Sequence, residues 1–314
     1  MSGCVLCGES SFTRLFAASD RLYRTTARQF EIIRCGACGL IRLDPPPSRE
    51  DLRHYYPENY WFAPDRTAAS RWEEAYRRLV LRDHVAFVAR SLGGSRVRGP
   101  LLDIGCGGGL FLGMMRQRGF RVIGLDFSPE AAAIAWRRQQ VPAICAMFEN
   151  SPLRPRSFAG VTMFHVLEHL YDPRVYLIAA HQALQPNGRL VVQVPNASCW
   201  QFRLLGRRWT GVDVPRHLFD FRDTDVERLV ESCGFEVVRR KYFSWRDNPA
   251  GLASSLAPAL DPMARRVRRL PETGGTRLAK DLTYLALVAA AVPFTLAEAA
   301  CQAGSTIMIE ARKR

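Results

Sequence analysis

Residues 164–170 read FHVLEHL and set three titratable side chains, His165, Glu168 and His169, inside an otherwise apolar stretch. Charge in such a setting needs a partner, a hydrogen bond or a metal. The i, i+3, i+4 spacing places all three on one face of a helical turn. On spacing alone, Glu168 and His169 cap or salt-link the start of the next helix while His165 packs in the core. As a site, Glu168 orients His169, whose imidazole takes a proton from an acceptor as its oxygen or carbon attacks. His217 of VPRHLF is then placed near that acceptor, and this base role is the preferred assignment.

A second chemistry sits at the N-terminus. CVLC (4–7) and CGAC (35–38) are two C-x-x-C pairs, each followed by glycine (Gly8, Gly39). Two such knuckles present Cys4, Cys7, Cys35 and Cys38 tetrahedrally to a structural Zn2+, closed and without an open position for catalysis. The other five cysteines are scattered and read as lone core or loop residues.

The third stretch is LLDIGCGGGLFLGM. Asp103 precedes Gly105, Cys106, Gly107, Gly108 and Gly109, and a helix follows. A dinucleotide fingerprint fails here, because Leu110 or Leu112 occupies its last glycine position. A P-loop fails too, for want of lysine. A carboxylate at the strand end repels a pyrophosphate yet suits an ammonium and a sulfonium, the two cationic centres of S-adenosylmethionine. Asp126, about 20 residues further on at the end of RVIGLD, is placed to accept ribose hydroxyls.

The elements that must carry these residues alternate. From residue 100, short apolar strands (PLLDI, RVIGLD, VPAICAMF, FAGVTMFHV, RLVVQVPN, FEVVRRKYF) are separated by helical segments. The helix SPEAAAIAWRRQQ is capped by Ser128 with Pro129 at its first position. DPRVYLIAAHQALQPNG reads as a helix with a glycine exit. This is an α/β parallel sheet with both faces covered. Residues 1–62 form the zinc ribbon and an aromatic arm (Tyr55, Tyr56, Tyr60, Trp61), and 63–99 a linker helix. In that helix Trp72, Tyr76, Leu79, Val80 and Val85 are expected to be buried. Residues 100–243 plus 305–314 are the cofactor-binding domain, and 244–304 an apolar helical insertion before the last strand.

At LDIGCGGG and GLDFSPEAAAIA the sequence resembles the class I S-adenosylmethionine-dependent methyltransferases. The resemblance implies a Rossmann-like, seven-stranded, mostly parallel sheet of order 3-2-1-4-5-7-6 with the last strand antiparallel. It implies cofactor contacts from Asp103, Gly105, Cys106, Gly107, Gly109 and Asp126, with Phe127 beside the adenine and Met147 and Phe148 on its other side. His165 is counted with that set as well as with the catalytic residues. H-x-x-E-H is similar to the E-x-x-E-H metal cluster of ubiquinone-type O-methyltransferases and small-RNA 2′-O-methyltransferases. This implies a second divalent metal as the alternative to a base, with His165 replacing a glutamate and His217 as a further ligand. The cysteine pairs, CGLIRLDPPPS, YYPENYW and GVDVPRHLFDF also resemble a subgroup acting on sugars, nucleotide-linked or lipid-linked. The acceptor implied is a hydroxyl, or activated carbon, of a small molecule or glycan precursor. A zinc-ribbon RNA methyltransferase is the alternative, although no N-P-P-Y-like tetrad follows the fourth strand. A non-catalytic binding protein is the second alternative.

The formal net charge of +14 is almost all arginine, lysine standing only at 241, 280 and 313. It reads either as a coding bias toward arginine or as an acidic partner. The opening MSGCVLCGES lacks a secretory pattern, so reduced thiols and a cytoplasmic setting are expected. Residues 282–297 are an uncharged run of 16 containing Pro293, short of the roughly 20 that span a bilayer. The run reads as a buried helical hairpin. The competing reading lays 265–297 on a membrane surface, with RRVRR (265–269) at the headgroups, peripheral to the inner membrane.

Overall fold

The structure is a computed structural model that describes residues 3–56, 68–94, 97–148, 151 and 153–314. Tyr60 and Trp61 of the aromatic arm, and the side chain of Trp72, lie outside the described residues. The chain divides into two compact units whose segments alternate along the sequence. One comprises Met1–Tyr60, Pro195–Val226 and Asp247–Ile307; the other comprises Trp61–Val194, Glu227–Arg246 and Met308–Arg314.

In the first unit, β1 (Phe12–Ser19), β2 (Gln29–Cys35) and β3 (Ile41–Asp44) form an antiparallel meander, followed by α1 (Arg49–His54). FEIIRC runs along β2 and ends in the second cysteine knuckle. Tyr55 packs edge-on against Phe30, ring centroids 6.2 Å apart, so it is a packing residue of this unit.

The second unit opens with α2 (Ala68–Val80) and α3 (Arg82–Gly93). These replace the single expected helix. Val80 and Val85 are buried, whereas Tyr76 and Leu79 are exposed. The helices meet at Leu81, whose backbone is still right-handed helical and whose N–H donates to the Arg77 carbonyl at 3.1 Å. Next come β4 (Leu101–Ile104), α4 (Leu110–Gln117), β5 (Val122–Asp126), α5 (Pro129–Gln139), β6 (Ala143–Cys145), β7 (Phe158–Phe164), α6 (Pro173–Ala183) and β8 (Leu184–Pro195). The Ser128 hydroxyl accepts from Ala131 N–H at 3.1 Å and starts α5 as expected. Helix α6 stops before QPNG, which belongs to β8 instead of forming a glycine exit.

The chain continues through α7 (Trp200–Leu205), the short β9 (Phe219–Asp220) that pairs with β3 in the first unit, α8 (Asp223–Ser232) and β10 (Phe235–Lys241). The insertion contributes α9 (Asn248–Leu256), α10 (Pro262–Val267) and α11 (Gly274–Ala300) before the final β11 (Thr306–Lys313). The seven-stranded sheet has the order β6-β5-β4-β7-β8-β11-β10. Counted within the sheet this is 3-2-1-4-5-7-6, with β11 antiparallel to β10. Strands β4 to β8 are parallel.

Helix α11 departs from expectation. It is one continuous helix of 27 residues that runs through Pro293, long and apolar enough by length and composition to cross a membrane. Only 17% of its most apolar stretch is buried, so it is not a buried hairpin. Its residues extend past the uncharged run at both ends, which is why counting that run alone underestimates it.

Candidate cofactor and proton-transfer site

Strand β4 delivers Asp103 to the carboxyl edge of the sheet and the chain turns at once. Gly105, Gly107 and Gly109 all adopt left-handed backbone (φ 73°, 51° and 74°), which glycine reaches without a Cβ penalty. A Cβ at Gly109 would sit 2.8 Å from that of Ala135, so helices α4 and α5 close-pack only over glycine. At Gly107 the added atom would meet nothing within 4 Å; its open side faces space a ligand can fill. Gly124 on β5 is equally constrained, because a Cβ there would lie 2.6 Å from Cys106 Sγ.

Two carboxylates close this corner. Asp126 at the end of β5 is buried, its Oδ2 accepting from Gly107 N–H and its Oδ1 from Ser128 N–H, both at 2.9 Å. It therefore latches the glycine turn, a role the spacing did not reveal, while each oxygen keeps a second lone pair for a ribose hydroxyl. Burial raises its pKa, against the backbone N–H groups that favour the ionised form. Asp103 is buried too and accepts from the Thr162 hydroxyl at 2.6 Å. Burial pushes it up to about 7; Thr162 opposes this, the nearby Asp126 adds to it, and Arg246 offsets part. Neither carboxylate forms an ion pair among the described residues. Cys106 lies between them, its thiol pushed up by burial and both acids, and so stays neutral. An unneutralised pair of buried acids beside an open glycine turn is suited to a cationic ligand.

The aromatic residues expected around an adenine divide. Phe127 and Met147 are exposed, at 56% and 40%. Phe148 is turned into the core against Tyr176, ring centroids 5.5 Å apart, and offers no free face.

Strand β7 brings FHVLEHL to the same edge. A short 3-10 turn, Leu167–His169, follows it. The bonds differ from the sequence assignment: Glu168, fully buried, bonds His165, with its Oε1 3.1 Å from Nδ1. Gln193 of β8 meets the other ring nitrogen, Nε2, at 2.9 Å, and its carbonyl accepts from His165 N–H. A carboxylate on Nδ1 makes that nitrogen the donor, which leaves Nε2 to accept from the Gln193 amide. The cradle holds His165 at φ 56°, a left-handed backbone that a non-glycine residue adopts only when its surroundings enforce it. With both ring nitrogens engaged, His165 is a poor metal ligand. His169 lies on the turn, partly exposed. His217 belongs to the other unit, where its Nδ1–H donates to the Gly211 carbonyl at 2.7 Å after a cis Val214–Pro215 bond.

Two features escaped the sequence reading. Gln193 looked like an ordinary strand residue; only the pairing of β7 with β8 sets it against His165. Arg216, in the first unit, is fully buried, with Nη2 2.9 Å from Asp20 Oδ1 and 2.6 Å from Asp213 Oδ1. Its guanidinium also lies 4.5 Å from the Tyr23 ring centroid. A lone arginine in VPRH gives no hint of partners almost 200 positions away.

The four N-terminal cysteines converge in the first unit. Cys4 and Cys38, and Cys7 and Cys35, have sulfurs 3.5 Å apart, and all four lie within 4.8 Å of one another. Thiolates tetrahedral about zinc at about 2.3 Å would be separated by roughly 3.8 Å, so the donor set fits the ion. Gly8 and Gly39 take the left-handed turns that close the knuckles (φ 77° and 79°). Arg222, paired with Asp225, donates to the Cys38 carbonyl at 2.5 Å and braces the second knuckle.

A sheet of this order, with a glycine turn and paired acids at its carboxyl edge, defines a Rossmann-like enzyme domain for a cationic nucleoside. Comparison with known proteins gives the family. A methyltransferase-domain family matches residues 72–240, more than half of the chain, and the chain belongs to that family. It is an S-adenosylmethionine-dependent methyltransferase. Over 168 residues it is 29% identical to the ubiquinone biosynthesis O-methyltransferase of Cereibacter sphaeroides, covering 50% of this chain and 67% of that one. With the protein so described in Pseudomonas aeruginosa it shares 30% over 130 residues, 39% of this chain and 56% of the relative. Among solved structures, geranyl diphosphate C-methyltransferase from Streptomyces coelicolor matches with a TM-score of 0.51 at 16% identity, covering 86% of this chain and all of that one. At that identity the likeness shows the fold alone.

Proposed function

We propose that the protein methylates a hydroxyl of a small molecule, with His169 as the general base. The supporting observation is the division of labour at the end of β7. His165 is locked between Glu168 and Gln193, while the next imidazole on the same turn, His169, is partly exposed at the edge where the glycine turn opens. S-adenosylmethionine, when bound, supplies a methyl group on a positively charged sulfur. Asp103 and Asp126 would hold its cationic amino-acid end and its ribose, Gly107 would let the backbone approach closely, and Phe127 and Met147 would cover the adenine. Glu168 and His165 brace the turn through hydrogen bonds, so the imidazole of His169 meets the acceptor already oriented. It takes up the hydroxyl proton as the oxygen attacks. The zinc ribbon is structural in this reading. The likeness to ubiquinone biosynthesis O-methyltransferases supports oxygen over carbon as the acceptor atom.

A screen of hydroxylated quinone precursors, nucleotide sugars and lipid-linked sugars with methyl-labelled cofactor identifies the acceptor by mass. On that acceptor His169→Ala should lower kcat by 100-fold or more at saturating cofactor, the usual contribution of a positioned base. His165→Ala should also raise KM by loosening the turn. Unchanged turnover in His169→Ala would refute the base role, and methyl incorporation into RNA in place of the small molecules would refute the acceptor class.

A further inference from the structure

Helix α11 shows a leucine stripe to solvent. Leu278, Leu282, Leu285, Ala289, Pro293 and Leu296 are all exposed, the four leucines at 43–59%. Their spacing, i, i+4, i+7, i+11, i+15, i+18, is five turns of one helical stripe, about 27 Å long. The opposite face is buried and carries two polar side chains beside Val288 and Ala291. Thr295 and Glu298 are fully buried, and Glu298 accepts from the Gln201 backbone at 3.0 Å and from its side-chain amide at 2.7 Å. A helix that hides a carboxylate and shows leucines to solvent marks an interaction surface.

Two more exposed leucines stand on helices packed against α11. The other exposed large apolar side chains described in this unit are Leu204 and Leu256, on α7 and α9. Both helices lie against α11: Trp200 of α7 is 6.1 Å from Phe294, and the Tyr284 hydroxyl is 2.8 Å from Ser254 of α9. The rim is basic. Leu204 is flanked by exposed Arg203, Arg207 and Arg208, with no acid anywhere in residues 200–210. Residues 261–281, leading into the stripe, carry six basic side chains against three acidic.

From these observations we infer that α11, with the tips of α7 and α9, lies on the surface of an anionic phospholipid bilayer. Charge decides against a second copy of the chain: self-association through this face would bring two positive rims together, whereas phosphate headgroups complement them. Anchoring decides against a spanning helix. The start of α11 is tied to α10 by Arg265 with Glu272 and Asp281, its middle to α9 by Tyr284, and its end to α7 by Glu298. Held along its own unit, it meets a membrane side-on, leucines in the acyl boundary and arginines at the headgroups.

Flotation of the full-length protein with phosphatidylcholine vesicles, with and without phosphatidylglycerol, tests this. The protein should float with the anionic vesicles, and at least ten-fold less without phosphatidylglycerol or in high salt. Leu282→Glu/Leu285→Glu should lower partitioning by roughly ten-fold or more while leaving the thermal melt intact, since both positions are exposed. Replacing Arg203, Arg207 and Arg208 by glutamine should remove the dependence on anionic lipid. Absence of flotation with anionic vesicles overturns the inference, as does undiminished flotation of the double glutamate variant. A dimer dissolved by the same glutamates without vesicle binding would assign the face to self-association, and resistance to alkaline carbonate extraction would make the helix a span.

Discussion

Asp103→Asn should make the protein more stable and less able to bind its cofactor. In the folded, ligand-free chain, burial and the neighbouring Asp126 push the Asp103 carboxyl from its ordinary 3.8 up to about 7. Below pH 4 it is protonated in both folded and unfolded chains and contributes nothing. Between pH 4 and 7 the unfolded chain ionises while the folded one holds its proton, so folding weakens as pH rises. Above 7 the full penalty applies. The interval from 3.8 to about 7, at 1.36 kcal/mol per unit, amounts to about 4 kcal/mol as a ceiling. Asparagine is isosteric, keeps an oxygen for the Thr162 hydroxyl, and removes the buried charge. Urea titrations from pH 4.5 to 8.5 should therefore show the variant gaining on the parent progressively with pH. Calorimetry should show S-adenosylmethionine affinity falling at least ten-fold, because the ammonium and sulfonium lose their counter-charge. In the parent, binding should release a proton and strengthen with pH through the neutral range, since a cation beside Asp103 favours its ionised form. A stability difference independent of pH, or a variant that binds cofactor normally, would refute the idea of an uncompensated acid reserved for a cation.

Two further outcomes follow from the first unit. Arg216→Met leaves Asp20 and Asp213 without their guanidinium and should destabilise the protein by about 3–5 kcal/mol, measured by urea unfolding at pH 7. Burial acts to raise the Asp20 pKa, but the bonds from Arg216 and Thr25 outweigh it and hold the carboxyl below its ordinary value. The ion pair's contribution is thus present above the usual carboxylate range and lost as pH falls, so the gap between variant and parent should narrow in acid. A gap that widened in acid would assign Arg216 a different role. Metal analysis should find one zinc per chain, lost in Cys38→Ser together with thermal stability. A second tightly held divalent ion surviving that substitution would replace the base assignment with a metal at Glu168 and His169.

What the sequence disclosed is what depends on short spacing. Two C-x-x-C pairs, an acid before three alternating glycines, and a second acid at the next strand end are local patterns, and the fold brings each set together as read. Strand order followed from resemblance to a family rather than from periodicity, which cannot say which strands are neighbours. The failures have the opposite character. Phe148 looked available because sequence shows a hydrophobic residue after a strand but not that Tyr176 of α6 covers it. Helix α11 has the composition of a buried hairpin, yet only Val288, Ala291, Thr295 and Glu298 of its residues are buried, so most of its apolar side chains face outward.

FHVLEHL shows why local spacing misassigns a partner inside a site. On an ideal helix Glu168 could serve either histidine, one three residues behind and one adjacent. The chain is not helical at that point: His165 follows directly on the end of β7 with a left-handed backbone, and its ring meets Glu168. That conformation costs about 1–3 kcal/mol for a non-glycine residue, and it persists because Glu168 from the turn and Gln193 from the neighbouring strand both bind the ring. The strain is spent on geometry. It fixes the corner after β7 on the sheet through bonds to Glu168 and Gln193, which is how a residue beyond a strand end acquires the positional precision of a strand.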